Sequence, residues 1–174
     1  APSGGAGGDL GNTYPNPTVT ATHLSKPLPA AQGGNPGINP MSPPYNAVCD
    51  AKQNQTGTVS NGSATLTLGT TNTAINQPFA SADVGKTVAV FCSAGSIVTT
   101  VATYTSAGQI ALTASPTFSC AGNAVVYWGT DDGSKLQNMF NVAAASSNPK
   151  PWAQWPVDNM CLSTATLDTQ AVVT

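Results

Sequence analysis

Arginine and glutamate are absent from this chain of 174 residues, whose charge comes from five lysines and seven aspartates. Charged residues make up 7% of the chain, against roughly 25% in an ordinary soluble protein. A net charge of −2 without arginine leaves no basic surface for a phosphate backbone, so we expect no nucleic-acid partner. The apolar runs are only a few residues long, so we expect no membrane partner either.

Uncharged polar residues take the place of the missing charges. Serine, threonine, asparagine and glutamine together number 60, about a third of the chain. Threonine and valine favour strands, whereas the residues that favour exposed helix faces are rare. The composition therefore predicts a mainly β protein of extracellular type and excludes a helical cytosolic enzyme. Because the chain begins with Ala1, we expect a processed chain or a piece of a longer one.

Four cysteines permit three disulfide pairings. Cys92 ends the apolar run 87–92 and Cys120 precedes another such run, so these two could face each other across a sheet, leaving Cys49 to pair with Cys161. The alternative is four buried free thiols that act as small apolar side chains. With no CxxC spacing and His23 as the single histidine, we expect no metal site and no cofactor.

Residues 1–44 differ in composition from the rest of the chain. They hold 8 of the 17 glycines and 9 of the 14 prolines, and they lack a periodic apolar pattern. Such a segment cannot close a core of its own. We therefore expect an extended arm that packs on neighbouring subunits, with a disordered tail as the alternative. Scattered apolar residues are its candidate anchors: Leu10, Tyr14, Val19, Leu24, Leu28 and Ile38.

Strand patterns begin at Tyr45. The run Tyr45–Cys49 is typical of a short strand, and residues 51–55 of a loop. Asn61-Gly62 lies between two alternating runs and predicts a tight hairpin. Residues 56–128 hold about six strands, enough for a small antiparallel barrel or sandwich. The later strands of this module are expected at 87–92, 97–104, 109–113 and 124–128.

One amphipathic helix is predicted after this module. Thr130 can serve as its N-cap, and Asp131 and Asp132 would lie in the first turn, where the helix dipole favours negative charge. Apolar residues then repeat at helical spacing, at Leu136, Met139, Phe140 and Ala143. The prolines of Asn148–Pro151 end it. Two strand-like runs follow, Met160–Leu167 and Ala171–Thr174.

Several segments resemble parts of bacteriophage tail-fibre and tailspike proteins. Gly7–Val19 (GGDLGNTYPNPTV) resembles an element common in such fibres, and Leu24–Gly34 (LSKPLPAAQGG) is similar to the linker that often follows it. Phe79–Lys86 (FASADVGK) resembles a module inserted in some phage spikes. Asp50–Lys52 and Thr130–Asp132 resemble the opening of a pectate-lyase-like tailspike β-helix, here split by the β-module and lacking the usual GDG step.

This resemblance implies a homotrimeric, extracellular virion component of the phage tail that acts in host adsorption. Residues 1–44 would attach the spike to other tail, baseplate or collar proteins. Residues 45–55 would be the first strand and loop of the β-helix opening, and 56–128 an inserted neck module. Residues 129–174 would hold a capping helix and the first strands of a right-handed parallel β-helix. The arm would dock through Leu10, Tyr14, Pro15, Pro17, Val19 and Leu28.

Catalysis by this chain is not expected. A glycosidase needs two carboxylates about 5–10 Å apart across a cleft, whereas Asp131 and Asp132 are adjacent and their helix position explains them. The full-length spike would bind bacterial surface polysaccharide, and any depolymerase activity would lie in a β-helix beyond this chain. The alternatives are a depolymerase fragment, a collar or head fibre, or a carbohydrate-binding module. Three tryptophans are candidates for stacking on sugars or, preferably, for an interface or core: Trp128, Trp152 and Trp155.

Overall fold

Six antiparallel strands close into a barrel in the middle of the chain, in a computed structural model of the protein. The structure describes residues 37–71, 73–145 and 159–167, together with the backbone of 10–11 and 18–19. Two short strands lie in the arm, β1 (Leu10–Gly11) and β2 (Thr18–Val19). The barrel strands are β3 (Lys52–Val59), β4 (Thr65–Leu68), β5 (Thr87–Cys92), β6 (Gly95–Ser106), β7 (Gln109–Leu112) and β8 (Cys120–Gly129).

The strands follow the order β3-β4-β7-β6-β5-β8, and β8 pairs again with β3. The predicted hairpin at Asn61-Gly62 is confirmed: Ser63 N–H donates to the Ser60 carbonyl at 3.0 Å, and Gly62 has a φ of 74°. Lys52 and Trp128 are register partners, so the chain enters and leaves the barrel side by side. Because the six strands form a closed sheet without an unpaired edge, the module is a barrel and not a sandwich.

The barrel begins earlier than the sequence predicts. Residues 51–55 were expected to form a loop, but β3 starts at Lys52. The buried side chain of Asn54 explains the difference, since its amide donates to the carbonyls of Thr70 (2.7 Å) and Gln77 (3.2 Å). Its oxygen accepts hydrogen bonds from the N–H and hydroxyl groups of Thr56, both at 2.8 Å. A buried asparagine with satisfied polar atoms can lie in a strand that looks polar in sequence.

The expected strand Tyr45–Cys49 is also wrong, because this segment forms no regular strand. Its Tyr45, Ala47 and Cys49 side chains are nevertheless buried, since they pack against the helix. The apolar alternation of this segment therefore predicts burial correctly, but it does not predict strand pairing.

The barrel interior is filled by the inward-facing side chains of its strands. Trp128 lies fully buried there, with its ring centroid 4.6 Å from that of Phe79. The other buried apolar members are Val59, Leu66, Leu68, Val88, Val90, Val101, Ile110, Leu112, Cys120, Ala124 and Val126.

The helix α1 spans Gly133–Ala145. It begins three residues after Thr130, the expected N-cap, because the carbonyl of Asp132 accepts the first helical hydrogen bond, from Leu136 N–H at 2.9 Å. The predicted apolar stripe is confirmed, with Leu136, Met139, Phe140 and Ala143 all buried. Leu136, Met139 and Phe140 pack in a second core on the segment 45–49, together with Ile38, Cys161 and Leu167.

Backbone pairing also occurs before the barrel and after α1. β1 and β2 pair antiparallel, with Leu10 opposite Val19. After α1, the predicted run Met160–Leu167 makes two isolated parallel bridges, Met160 with Asp50 and Leu162 with Asp131. Within the described ranges, no helix has the length and apolar character needed to cross a bilayer.

Candidate functional site

All charged side chains of the described ranges cluster where the barrel meets α1. They are three lysines and four aspartates: Asp50, Lys52, Asp83, Lys86, Asp131, Asp132 and Lys135. We refer to these seven residues, together with their hydrogen-bond partners Trp128 and Thr130, as the polar junction. Because Lys52 is the only charged residue on the barrel strands, this cluster is the chemically distinct region of the described structure.

Asp83 is the centre of the polar junction on the barrel side. A one-turn 3-10 helix, Ser81–Asp83, places its carboxylate beneath the barrel end, with no exposed surface. The carboxylate accepts hydrogen bonds from Ala80 N–H (2.9 Å), Trp128 Nε1 (2.9 Å), Lys86 Nζ (2.9 Å) and Lys52 Nζ (3.2 Å). Burial acts to raise the pKa of Asp83, but these donors outweigh it and the pKa is lowered.

Asp50 and Lys86 extend the polar junction across the end of the barrel. Lys86 Nζ lies 3.0 Å from Asp50 Oδ2, and Thr130 N–H donates to Asp50 Oδ1 at 2.7 Å. Burial opposes the charged forms, yet the pKa of Asp50 is lowered by Thr130 and Lys86, and that of Lys86 is raised by Asp83 and Asp50. Asp50 and Thr130 are 80 residues apart in sequence, so this contact joins the two chain segments that flank the barrel.

Asp132 holds the segment before the barrel against α1. Its buried carboxylate accepts hydrogen bonds from Val48 N–H (2.9 Å) and Cys49 N–H (2.8 Å). Cys49 has a φ of 49°, and two successive N–H groups converge on the carboxylate, a common way to bind an anionic group. Lys135 Nζ lies 3.3 Å from the same carboxylate, and Asp132 N–H donates to the Leu162 carbonyl at 2.8 Å.

Asp131 binds a different set of partners, although it is adjacent to Asp132. Its carboxylate accepts hydrogen bonds from Gly133 N–H at 2.9 Å and from the Thr164 hydroxyl. Burial acts to raise the pKa of Asp131, but Thr164 and Gly133 stabilise the charged form and the pKa is lowered. Asp131 and Asp132 therefore bind separate backbone segments and do not face each other across a cleft.

Two disulfides lie at opposite ends of the structure. Cys49 is bonded to Cys161, and Cys92 to Cys120 with a Cα–Cα distance of 6.5 Å. This is the pairing that the apolar runs suggested.

The sulfurs of Cys49 and Cys161 lie within 4.8 Å of an Asp132 oxygen, the spacing of a metal site. Because the sulfurs are bonded to each other and Asp132 is occupied by hydrogen-bond donors, this group does not fit a cation.

Trp128 lies in the barrel core, which is one of the two places that the sequence prediction preferred for the tryptophans. Stacking on a sugar is wrong for this residue, because its side chain has no exposed surface. Its indole N–H donates to Asp83 inside the barrel, so a sugar or another chain cannot reach it. Trp152 and Trp155 lie outside the described residues.

The candidate docking residues of the arm are described only in part. Leu10 and Val19 are seen as backbone partners in the β1–β2 pair. The others lie outside the described residues: Tyr14, Pro15, Pro17 and Leu28.

Sequence reasoning did not anticipate the polar junction. Asp83 and Lys86 lie in the segment FASADVGK, and Asp50 and Lys52 lie in Asp50-Ala51-Lys52, and neither segment by itself indicates that the two meet. The signal that could have found them is their spacing, because in a chain with few charges four of them fall in two short segments, 50–52 and 83–86. The described carboxylates all accept hydrogen bonds from the protein itself, so the polar junction acts as a connection between segments.

A comparison with known protein families, with curated proteins and with solved structures finds no match for this chain.

Proposed function

We propose that this chain is the N-terminal anchoring part of a phage tailspike or tail fibre. In this role it is a structural virion component of the host-adsorption apparatus. The part of the arm before residue 37 attaches the spike to a tail, baseplate or collar protein, and the chain assembles as a homotrimer. The barrel acts as a neck, and α1 caps a right-handed parallel β-helix that continues from the segment after it.

The observation that carries this proposal is the 2.7 Å hydrogen bond between Thr130 N–H and Asp50. It closes the chain across the barrel, so the segments before and after the barrel are continuous in space. This supports the interpretation that the barrel is an insertion between the two halves of a β-helix opening. The parallel bridges of Asp50 with Met160 and of Asp131 with Leu162 also support it, since parallel pairing is the pattern of stacked β-helix rungs.

The position of α1 suits a cap. Its apolar stripe covers the second core, while Ser134, Asn138 and Asn141 on its other side are exposed. A stack of parallel rungs needs such a polar cover, because an open terminal rung is a template for aggregation. The proposed architecture therefore explains why an amphipathic helix lies at this point in the chain.

We assign this chain an assembly role and not a catalytic one. Asp83 and Asp132 are fully buried, and Asp50 and Asp131 each accept hydrogen bonds from backbone and threonine groups. Their charges thus stabilise the connection between segments. A depolymerase fragment is the competing function, and turnover of capsule or lipopolysaccharide by this chain alone would favour it.

The test is a deletion in the intact spike. The structure places the cut before residue 37, because Ile38 packs in the second core and the Pro40 carbonyl accepts a hydrogen bond from Ala47 N–H at 2.8 Å. Deleting residues 1–36 should leave the body folded and abolish incorporation of the spike into particles, measured by quantitative immunoblotting of purified virions.

The matched control replaces the arm residues 1–36 by a Gly/Ser sequence of the same length. Loss of incorporation in both variants, with unchanged melting of the purified spikes, supports attachment by the arm sequence. Normal incorporation of the deleted spike would show that this chain is not anchored by its arm.

A further inference from the structure

Every lysine of this chain is either followed by proline or held in the polar junction. Because the chain has no arginine, its five lysines are its only sites for a protease that cuts after basic residues. Lys26 and Lys150 are followed by Pro27 and Pro151. The remaining three form ion pairs with aspartates of the polar junction: Lys52, Lys86 and Lys135.

Cleavage by a trypsin-like serine protease makes two demands on its substrate. The basic side chain must enter a pocket that ends in a carboxylate, and the carbonyl of the bond to be cut must accept hydrogen bonds from the oxyanion hole. The serine oxygen then attacks this carbonyl carbon, the C–N bond breaks, and the amine leaves with a proton from the histidine. A folded substrate must offer both groups from an exposed segment or open locally to do so.

The two Lys-Pro bonds resist cleavage through their covalent structure. The proline nitrogen is part of a ring and carries no N–H, so the bond is a tertiary amide, and the ring also restricts the backbone of the lysine before it. Trypsin-like proteases do not cut such a bond, whether the chain is folded or unfolded. Prolines are 14 of the 174 residues, so chance alone would seldom place one after both lysines.

Lys86 is held at both of the groups that a protease needs. Its Nζ lies 2.9 Å from Asp83 Oδ1 and 3.0 Å from Asp50 Oδ2, so the ammonium already has two carboxylate partners. Its carbonyl accepts a hydrogen bond from Val101 N–H at 2.9 Å. The oxygen that an oxyanion hole would bind is therefore occupied within the barrel.

The bonds after the other two lysines are held in regular structure. Lys52 begins β3, and Gln53 N–H donates to Oε1 of Gln77 at 3.1 Å. Lys135 lies in the first turn of α1, and Leu136 N–H makes the first helical hydrogen bond at 2.9 Å. The Leu136 side chain is also buried in the second core. Neither bond can lie extended in a protease cleft unless β3 or α1 opens.

We propose that the native chain is resistant to proteases that cut after lysine or arginine. The protection has two parts, a proline after each of two lysines and the polar junction around the other three. The polar junction thus withholds the basic residues from such enzymes as well as connecting segments. This inference does not depend on the proposed function, because it uses only the sequence and the contacts of this chain.

The test is limited proteolysis by trypsin, followed over time by intact mass spectrometry. The native wild type should stay whole under conditions that digest the same chain after unfolding and reduction of its disulfides. The unfolded chain should be cut after Lys52, Lys86 and Lys135, and both Lys-Pro bonds should remain intact.

Variants separate the two parts of the protection. Pro27→Ala and Pro151→Ala each turn a Lys-Pro bond into an ordinary amide, so each should gain one cut, in the native protein as well as in the unfolded chain. Thr117→Lys places a lysine on the exposed loop between β7 and β8. This variant should be cut after residue 117 about tenfold faster or more than the wild type is cut at any site.

The matched control for the loop variant is Thr117→Gln, which adds a long polar side chain without charge and should stay whole. Melting curves check that all variants fold. Cleavage of the native wild type at any lysine of the polar junction as fast as that of Thr117→Lys would overturn the proposal. A Thr117→Lys protein as resistant as the wild type would also overturn it, because the barrel would then resist wherever a lysine lies. If the two proline variants gain no cut, the prolines are not protective.

Discussion

The indole N–H of Trp128 donates a 2.9 Å hydrogen bond to Oδ2 of Asp83, and neither side chain has exposed surface. Through this contact the apolar core of the barrel meets the polar junction directly. Phe79 packs on the same indole, with ring centroids 4.6 Å apart. A carboxylate can be buried beside aromatic rings here because four donors surround it.

Replacing Asp83 by alanine should destabilise the protein by about 3–5 kcal/mol. The change removes the acceptor of Trp128 and leaves Lys52 and Lys86 without a shared partner. Urea unfolding followed by tryptophan fluorescence measures the loss. The control is Asp131→Ala at the exposed edge of the polar junction, which should cost no more than about 1 kcal/mol. Equal losses in the two variants would contradict the central role of Asp83.

Stability should fall in acid and in strong alkali. The pKa values of Asp50, Asp83 and Asp131 are lowered from 3.8, so their stabilisation is complete above that pH and is lost as the pH falls through their folded values. The pKa of Lys86 is raised from 10.5, so its stabilisation is complete below that pH and is lost as the pH rises through the folded value.

Melting temperatures measured between about pH 2 and pH 11 should therefore show a plateau from about pH 5 to about pH 9. Asp83→Asn removes one of the titrating groups, so this variant should lose less stability on acidification than the wild type does. An acid limb of the same steepness in both proteins would show that Asp83 does not contribute to it.

Gly129, the last residue of β8, lies close to Ala51, which precedes β3. A Cβ at this position would lie 2.7 Å from the Cα of Ala51, which is backbone and cannot turn aside. Gly129→Ala should therefore cost about 1–3 kcal/mol, as overpacking does elsewhere. Gly108→Ala is the matched control, since its Cβ would meet only the Leu68 carbonyl, at 3.5 Å. Comparable denaturation midpoints for the two variants would rule out this close approach.

The two disulfides should contribute unequally to stability. Cys49 and Cys161 are separated by 112 residues, and Cys92 and Cys120 by 28. On loop-closure entropy, losing the first bond costs about 4.8 kcal/mol and losing the second about 3.6 kcal/mol. Pairwise replacement by alanine, followed by denaturant unfolding, measures both losses. The reverse order of costs would mean that the barrel unfolds independently of the segment that holds Cys161.

Local patterns predicted much of the fold. The Asn61-Gly62 turn, the run 87–92 and the stripe from Leu136 to Ala143 each depend on neighbours in sequence, and the structure has all three. The errors arise where distant residues decide the outcome. Asn54 lies in a strand because its amide donates hydrogen bonds to the carbonyls of Thr70 and Gln77. A propensity scale does not contain such long-range contacts.

The polar junction was harder to predict for the same reason. Asp50 and Thr130 meet only because the six barrel strands return the chain to its starting point. The sequence left open whether Trp128 lies in a core, at an interface or on the surface, because its neighbours in sequence are mixed in polarity. Strand alternation places Tyr127 on the outer face and Trp128 in the interior, and a shift of one residue would have exchanged them.

The register pairing of Lys52 with Trp128 bears on how such chains can diversify. Because the barrel starts and finishes at the same point, its length and shape do not affect the spacing of the flanking segments. A larger domain, a smaller one or a short turn could replace it in related chains while Asp50 and Thr130 stay bonded. The spacing of the flanking segments therefore depends on the pairing of Lys52 with Trp128 and not on the size of the barrel between them.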